Sequence, residues 1–174
     1  MAGFELKFAV DGWGQVEMAV DQAAKKLDLA AARALRKTAQ WLRTHSSREI
    51  AKALRITQSP IRHRFDVFSQ ATAREVKLWV GLRPLGVHYL GTPKQTPTGV
   101  SVGHRVYDDA FISPMKTKHR LVWRRKGRER LPLEMVTEDW ASEGVTALEK
   151  WEKRAEQRFV ELFEQEARHV FQAA

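Results

Sequence analysis

Cysteine is absent from the 174 residues, which excludes disulfide staples, thiolate metal sites and a cysteine nucleophile together. Stability therefore has to come from packing or from assembly. Long apolar runs are missing too. No stretch approaches the ~20 apolar residues that a membrane-spanning helix requires, and the mean hydropathy of −0.46 fits a soluble chain with no membrane partner. The opening residues MAGFELKFAVDG hold no basic region followed by an apolar run, so no secretory signal is expected and synthesis is expected in the cytoplasm. The six histidines, His45, His63, His88, His104, His119 and His169, include no pair at the spacing of a local zinc site. No serine stands in a nucleophile elbow and no glycine cluster forms a phosphate loop. The expectation is a protein without cofactor, metal or catalytic residues, and not an enzyme.

What the chain has is positive charge, unevenly placed. Thirty Lys and Arg against twenty-one Asp and Glu leave a net charge of +9, which favours polyanions without choosing one. Residues 116–130 hold Lys116, Lys118, Arg120, Arg124, Arg125, Lys126, Arg128 and Arg130 against Glu129 alone, whereas residues 134–174 hold ten acidic and five basic side chains. As a strand-turn-strand hairpin with its turn at Lys126-Gly127, the basic segment could lay its cations along phosphates. No Asn or Gln lies nearby to read base edges, so sequence-specific recognition is not indicated. The acidic terminal segment of a neighbouring copy is an equally good counterion, and such head-to-tail contacts close into rings.

Hydrophobic spacing predicts the elements. Phe4, Leu6 and Phe8 alternate with Glu5 and Lys7, a strand pattern within Phe4 to Val10. From Gln15 to about Arg55, apolar positions recur every three or four residues and draw one helical stripe, with His45-Ser46-Ser47 the stretch where a kink or break is expected. Small side chains from Leu29 to Leu35 permit close approach of another element. Ser59-Pro60 reads as a cap followed by proline at the first helical position. Paired strands are expected at Phe65 to Phe68 and Glu75 to Leu82, with Val76, Leu78 and Val80 on one face and Glu75, Lys77 and Trp79 on the other. Residues 83–103 hold seven prolines and glycines and predict a long loop or extended arm, with Arg83, Lys94 and the adjoining Arg105 as candidate contact residues. Strands at Val106 to Ile112, Arg120 to Arg125 and Leu131 to Val136 and a helix from Val145 to Phe171 complete the reading. The six tryptophans are expected mostly as core or interface anchors. The outcome is a single α+β domain over residues 1–174, in which a long N-terminal helix and a C-terminal helix pack on a twisted antiparallel sheet.

One constellation points elsewhere. Asp66, followed by Glu75-Val76-Lys77, imitates the two carboxylates and lysine of a metal-dependent nuclease, in which the carboxylates hold Mg²⁺ and the lysine orients water. A free-standing nonspecific DNA-binding protein is a further alternative, drawn from the charge alone.

Three stretches carry a resemblance: Ala31 to Phe65, with its AxxALxxTAxWLR opening; Val76 to Gly91, with VGLxP and YLG; and Gly99 to Val136, with AFIxxMK, the basic segment and RLPL. In this order they resemble the prophage minor tail protein Z family, the tail-completion proteins of lambda-like phages. Asp108-Asp109 departs from the resemblance by placing two carboxylates just before AFI. The resemblance implies a structural virion protein at the head-proximal end of the tail or in the neck. It would make the tail competent for head joining and help position the DNA end in the channel. It further implies a homo-oligomeric ring, by preference sixfold, touching the tail terminator, tail tube or head connector and the genomic DNA end, with no catalytic residues to carry over.

Overall fold

The computed structural model describes residues 13–69, 75–114 and 120–172. The expected strand at Phe4 to Val10 lies outside the described residues, as do Lys116 and Lys118. Two long helices, α1 (Trp13–Leu54) and α3 (Ala141–Gln172), bracket a short helix α2 (Gln58–Arg62) and ten short strands. The α+β expectation holds.

α1 is continuous for 42 residues, about 63 Å at 1.5 Å per residue. No break occurs at His45-Ser46-Ser47, because these residues are held rather than left weak. Ser46 and Ser47 are fully buried. The Gln58 side-chain amide reaches back from α2 to donate to the Thr44 carbonyl at 3.1 Å and to Ser47 Oγ at 2.7 Å. Small polar side chains let α2 fold closely against α1 at this point. α1 ends in a Schellman turn: Arg55 adopts φ 54°, Ile56 N–H donates to the Ala51 carbonyl and Arg55 N–H to the Lys52 carbonyl.

α3 runs antiparallel to α1. Glu49 of α1 meets Lys150 and Trp151, Arg33 and Lys37 meet Glu166, and the Lys26 ammonium lies 5.5 Å from the Phe171 ring centre. Ala30, Ala34 and Thr38 recur every fourth residue on α1 and are buried, as are Leu162, Glu166 and Val170 on α3. Small side chains on one helix facing larger ones on the other allow a close approach without voids. Midway, His45 lies 4.6 Å from both Trp41 and Trp151, whose rings meet edge to face at 5.4 Å.

The second half of α1 covers the strands. Ile50, Ala51 and Leu54 join Ile61, Phe65, Leu85, Val87, Val100, Val102, Val122, Val136 and Trp140 in one core. The antiparallel sheet expected as one unit is divided into four small ones. β1 (Phe65–Ser69) pairs with β2 (Val76–Val80), and β3 (Leu85–Gly86) with β10 (Thr137–Glu138). β4 (Pro93–Gln95), β5 (Gly99–Val102) and β6 (Arg105–Asp108) form a third sheet, and β7 (Ala110–Ser113), β8 (Leu121–Arg125) and β9 (Leu133–Met135) a fourth.

Three expectations change. Ser59-Pro60 does not cap α2, whose N-cap is Thr57, so Pro60 is the third helical residue, within the first turn. Residues 83–103 are not a free arm. They carry β3, a 3-10 turn (Val87–Tyr89), β4 and β5, and they contribute five core residues. Their prolines and glycines mark tight turns between short strands. At Gly99 a Cβ would stand 2.1 Å from the Tyr107 carbonyl oxygen, so β5 and β6 can close only on glycine. The strand expected at Val106 to Ile112 breaks at Asp109, which takes φ 58°. The Asp108-Asp109 pair is therefore the turn that directs β6 into β7, and Asp tolerates that backbone better than most residues.

Glu166 is buried while Lys37 is about half exposed. Removing Lys37 leaves a buried carboxylate with only Arg33, 3.8 Å away, whereas removing the carboxylate releases a lysine into water. Lys37→Met is therefore expected to cost about 2 kcal/mol and Glu166→Gln less than about 1 kcal/mol, read as denaturant midpoints of the two variants. The reverse order would show that the pair contributes through packing alone. His45 titrates below its ordinary 6.5, chiefly through burial and then through Arg48 and Arg158. The folded state resists its protonation, so this contribution is intact above about pH 6.5 and is lost as pH falls through the lowered value. The melting temperature should drop between about pH 7.5 and about pH 5.5, and His45→Gln should flatten that part of the profile.

Candidate nucleic-acid and subunit interface

The basic segment is built around β8, the central strand of its sheet. Leu121 to Arg125 pair with β7 on one side and β9 on the other, so the described part of the basic segment is the middle strand of a three-stranded antiparallel sheet and the loop that follows it. Arg120 precedes the strand, and Lys126, Arg128 and Arg130 follow it in the 126–132 loop to β9. Five strand residues separate the two groups, about 17 Å at 3.3 Å per residue. The turn expected at Lys126-Gly127 opens a longer loop, closed where Lys126 N–H donates to the Pro132 carbonyl at 3.1 Å.

The cations within this segment divide by environment. Arg124 is half-buried, and its Nη2 donates to the Asp108 carbonyl at 2.9 Å, tying β8 to the turn between β6 and β7. Trp123, beside it, donates from Nε1 to the Ser113 carbonyl at 3.1 Å. Arg120, Arg125, Lys126, Arg128 and Arg130 are exposed, and none forms an ion pair with a described residue. Leu131, next in the loop, is 67% exposed. The end of β8 and the loop after it thus offer four cations, Arg125, Lys126, Arg128 and Arg130, and one apolar side chain to whatever meets them.

The other candidate contacts separate in the same way. Lys94 is exposed on β4 and Arg83 is exposed ahead of β3, where its backbone carbonyl accepts a 2.9 Å hydrogen bond from the indole of Trp140. Arg105 is committed internally. Its Nε contacts Glu138 at 2.7 Å and its Nη2 donates to the Leu54 carbonyl at 3.0 Å, so a cation sits at the C-terminus of α1. Tyr107 completes this network by donating to the other Glu138 oxygen at 2.5 Å. Burial, and then that carboxylate, push the Tyr107 phenol well above its ordinary value. Charge pattern alone cannot find this network, since Arg105 and Glu138 come together only when β6 and β10 are placed.

The nuclease-like residues do not converge. Asp66 stands opposite Trp79 in the β1–β2 ladder, and Glu75 lies four residues before Trp79, about 13 Å along the strand. Two carboxylates that far apart do not share a divalent ion. Lys77 lies opposite Phe68 on the exposed face, and the strand pattern read from sequence explains all three. Among the described residues no group of three potential metal ligands occurs. No helix among them is long and apolar enough to cross a membrane.

Neutralising exposed cations should leave the fold intact, and neutralising the half-buried ones should not. Lys126→Gln with Arg128→Gln is expected to shift unfolding by less than about 0.5 kcal/mol. Arg105→Met, which leaves Glu138 with Tyr107 as its remaining partner and removes the cation from the end of α1, should cost about 2 kcal/mol, measured by urea denaturation.

Comparison with curated proteins and with solved structures returns no match. Against family models, residues 17–171 match prophage minor tail protein Z (GPZ). That span takes in all but the ends of both long helices and every strand among the described residues, so the chain belongs to the prophage minor tail protein Z family, structural proteins of phage tails.

Proposed function

We propose that this tail protein completes the tail at its head-proximal end, making it competent to join a DNA-filled head. It would act as a ring of identical copies, with sixfold symmetry to match the tail, against the tail terminator, tail tube or head connector. The observation that carries the reading is the exposed cationic loop on a chain of this family: Arg125, Lys126, Arg128 and Arg130 stand at the end of a rigid three-stranded sheet without an internal partner among the described residues. Two counterions suit that loop. One is the phosphate backbone of the genomic DNA end in the channel, which point charges position without reading sequence. The other is the acidic surface of α3 on a neighbouring copy, where Glu149, Glu152 and Glu156 are exposed. Both contacts are available in a ring whose inner edge lines a DNA channel.

Reversing Arg125, Lys126 and Arg128 to Glu in the encoding phage is expected to leave tail tubes of normal length and to lower head-joined particles about tenfold or more. Particles joined at the unaltered level would overturn the assignment of this loop. If rings of the variant still form, a displaced DNA end would mark the loop as channel-facing. Loss of the ring would mark it as a subunit contact. Recovery of the chain away from particles, bound to host DNA, would favour the free-standing DNA-binding alternative.

A further inference from the structure

Two cavities lie at the elbow between α1 and α2, remote in sequence from the basic loop. The first, about 400 Å³, is lined by Arg43, Gln58, Ser59, Arg62 and His63. The second, about 320 Å³, is lined by Pro60, His63, Arg64, Leu85 and Tyr89. His63 lines both. Their characters differ. The first gathers two guanidinium groups, an imidazole, an amide and a hydroxyl with no carboxylate among them, the donor-rich wall that an oxyanion requires. Arg43 spends its Nη2 on the Arg62 carbonyl at 3.2 Å, while its Nε is buried without a partner among the described residues. A buried guanidinium N–H left in that state is costly unless an acceptor arrives. The second cavity sets the apolar sides of Pro60 and Leu85 beside Tyr89, which is 51% exposed, its ring 4.1 Å from that of His88.

A cationic cavity and, sharing His63 with it, a second that sets Tyr89, Pro60 and Leu85 beside Arg64 together have the composition of a nucleotide site. We infer that the α1–α2 elbow binds an unpaired nucleotide of a single-stranded polynucleotide, its phosphate among Arg43, Arg62 and His63 and its base against Tyr89. An unpaired base is required because a base held in a duplex is stacked on both faces and cannot enter a side cavity. Stacking on an aromatic ring is open to every base, so the site tolerates sequence. The first cavity is large enough for a sugar-phosphate unit with water, within the ordinary range for small ligands. Local structure keeps the site rigid: Gln58 is pinned to α1 at Thr44 and Ser47, and Arg64 lies between α2 and β1, its carbonyl accepting from Gly81 N–H at 2.9 Å. The inference goes beyond the tail-completion reading and does not rest on it, since it concerns the purified chain alone.

Fluorescence anisotropy of the full chain with a short labelled oligothymidylate, and with a blunt duplex of equal length, tests it. Tyr89→Ala is expected to weaken the single strand about tenfold or more and to leave the duplex unchanged. Tyr89→Phe, which keeps the ring, should bind as the unaltered chain does. Arg62→Gln should weaken the single strand and make its binding less steeply dependent on salt. Lys126→Gln with Arg128→Gln should leave the Tyr89-dependent part in place. Equal loss of single strand and duplex in Tyr89→Ala, unchanged single-strand binding in that variant, or competition by polyglutamate as effective as by oligothymidylate would each overturn the inference. Arg62 and Tyr89 are both exposed, and circular dichroism of each variant checks that the fold is retained.

Discussion

Close contact between α1 and α3 is the constraint on which the rest of the structure depends. It is made possible by the run of alanines and Thr38 on α1, which removes side-chain bulk where Leu162, Glu166 and Val170 come in from α3. Over this length the two helices are each other's main partner, and only the second half of α1 also covers strands. One helix thus serves as a shared wall, with a helical partner along one part and a strand-built core along the other. Strands as short as those here do not hold a sheet together alone. They depend on Ile50, Ala51 and Leu54 to close their core.

A chain with a large excess of cations has to keep some for its own structure. Arg105 holds the end of α1 and the Glu138 carboxylate, and Arg124 joins two sheets through the Asp108 carbonyl. Those arginines contribute by bridging elements and satisfying carbonyls that would otherwise be orphaned. The cations at the loop tip and at the α1–α2 elbow are different, because no described carboxylate neutralises them. In an assembling tail protein, unneutralised charge presented on rigid elements can set the orientation of a partner and speed its encounter. The nuclease-like trio fails for the complementary reason: its members share a strand face, but the ladder holds them too far apart to act together.

Legibility in the sequence followed the range of the interaction involved. The helical stripe from Gln15 to about Arg55, the period-two face of Val76, Leu78 and Val80, and the terminal helix were readable because each reflects local periodicity against a single buried side. The family resemblance was readable from ordered motifs. Residues 83–103 misled because proline and glycine signal turns without saying whether the segments between them are packed, and Leu85, Val87, Val100 and Val102 are. The serines at 46 and 47 misled because their helix propensity is poor in isolation, whereas both are buried in the fold and Gln58, eleven residues beyond Ser47, supplies a partner for the Ser47 hydroxyl.

By itself, then, the sequence determined the elements, the absence of cysteine chemistry, the polarity of charge along the chain and the family, all of which depend on residue identity and near-neighbour spacing. Only the tertiary structure decided which cations are internal braces and which face outward, that the centre of the basic run is the middle strand of a sheet, and that Arg43, Arg62 and Tyr89 line cavities that share His63. Those outcomes depend on side chains far apart in the chain meeting in space, and the burial that follows sets whether a charge is satisfied within the fold or left for a partner.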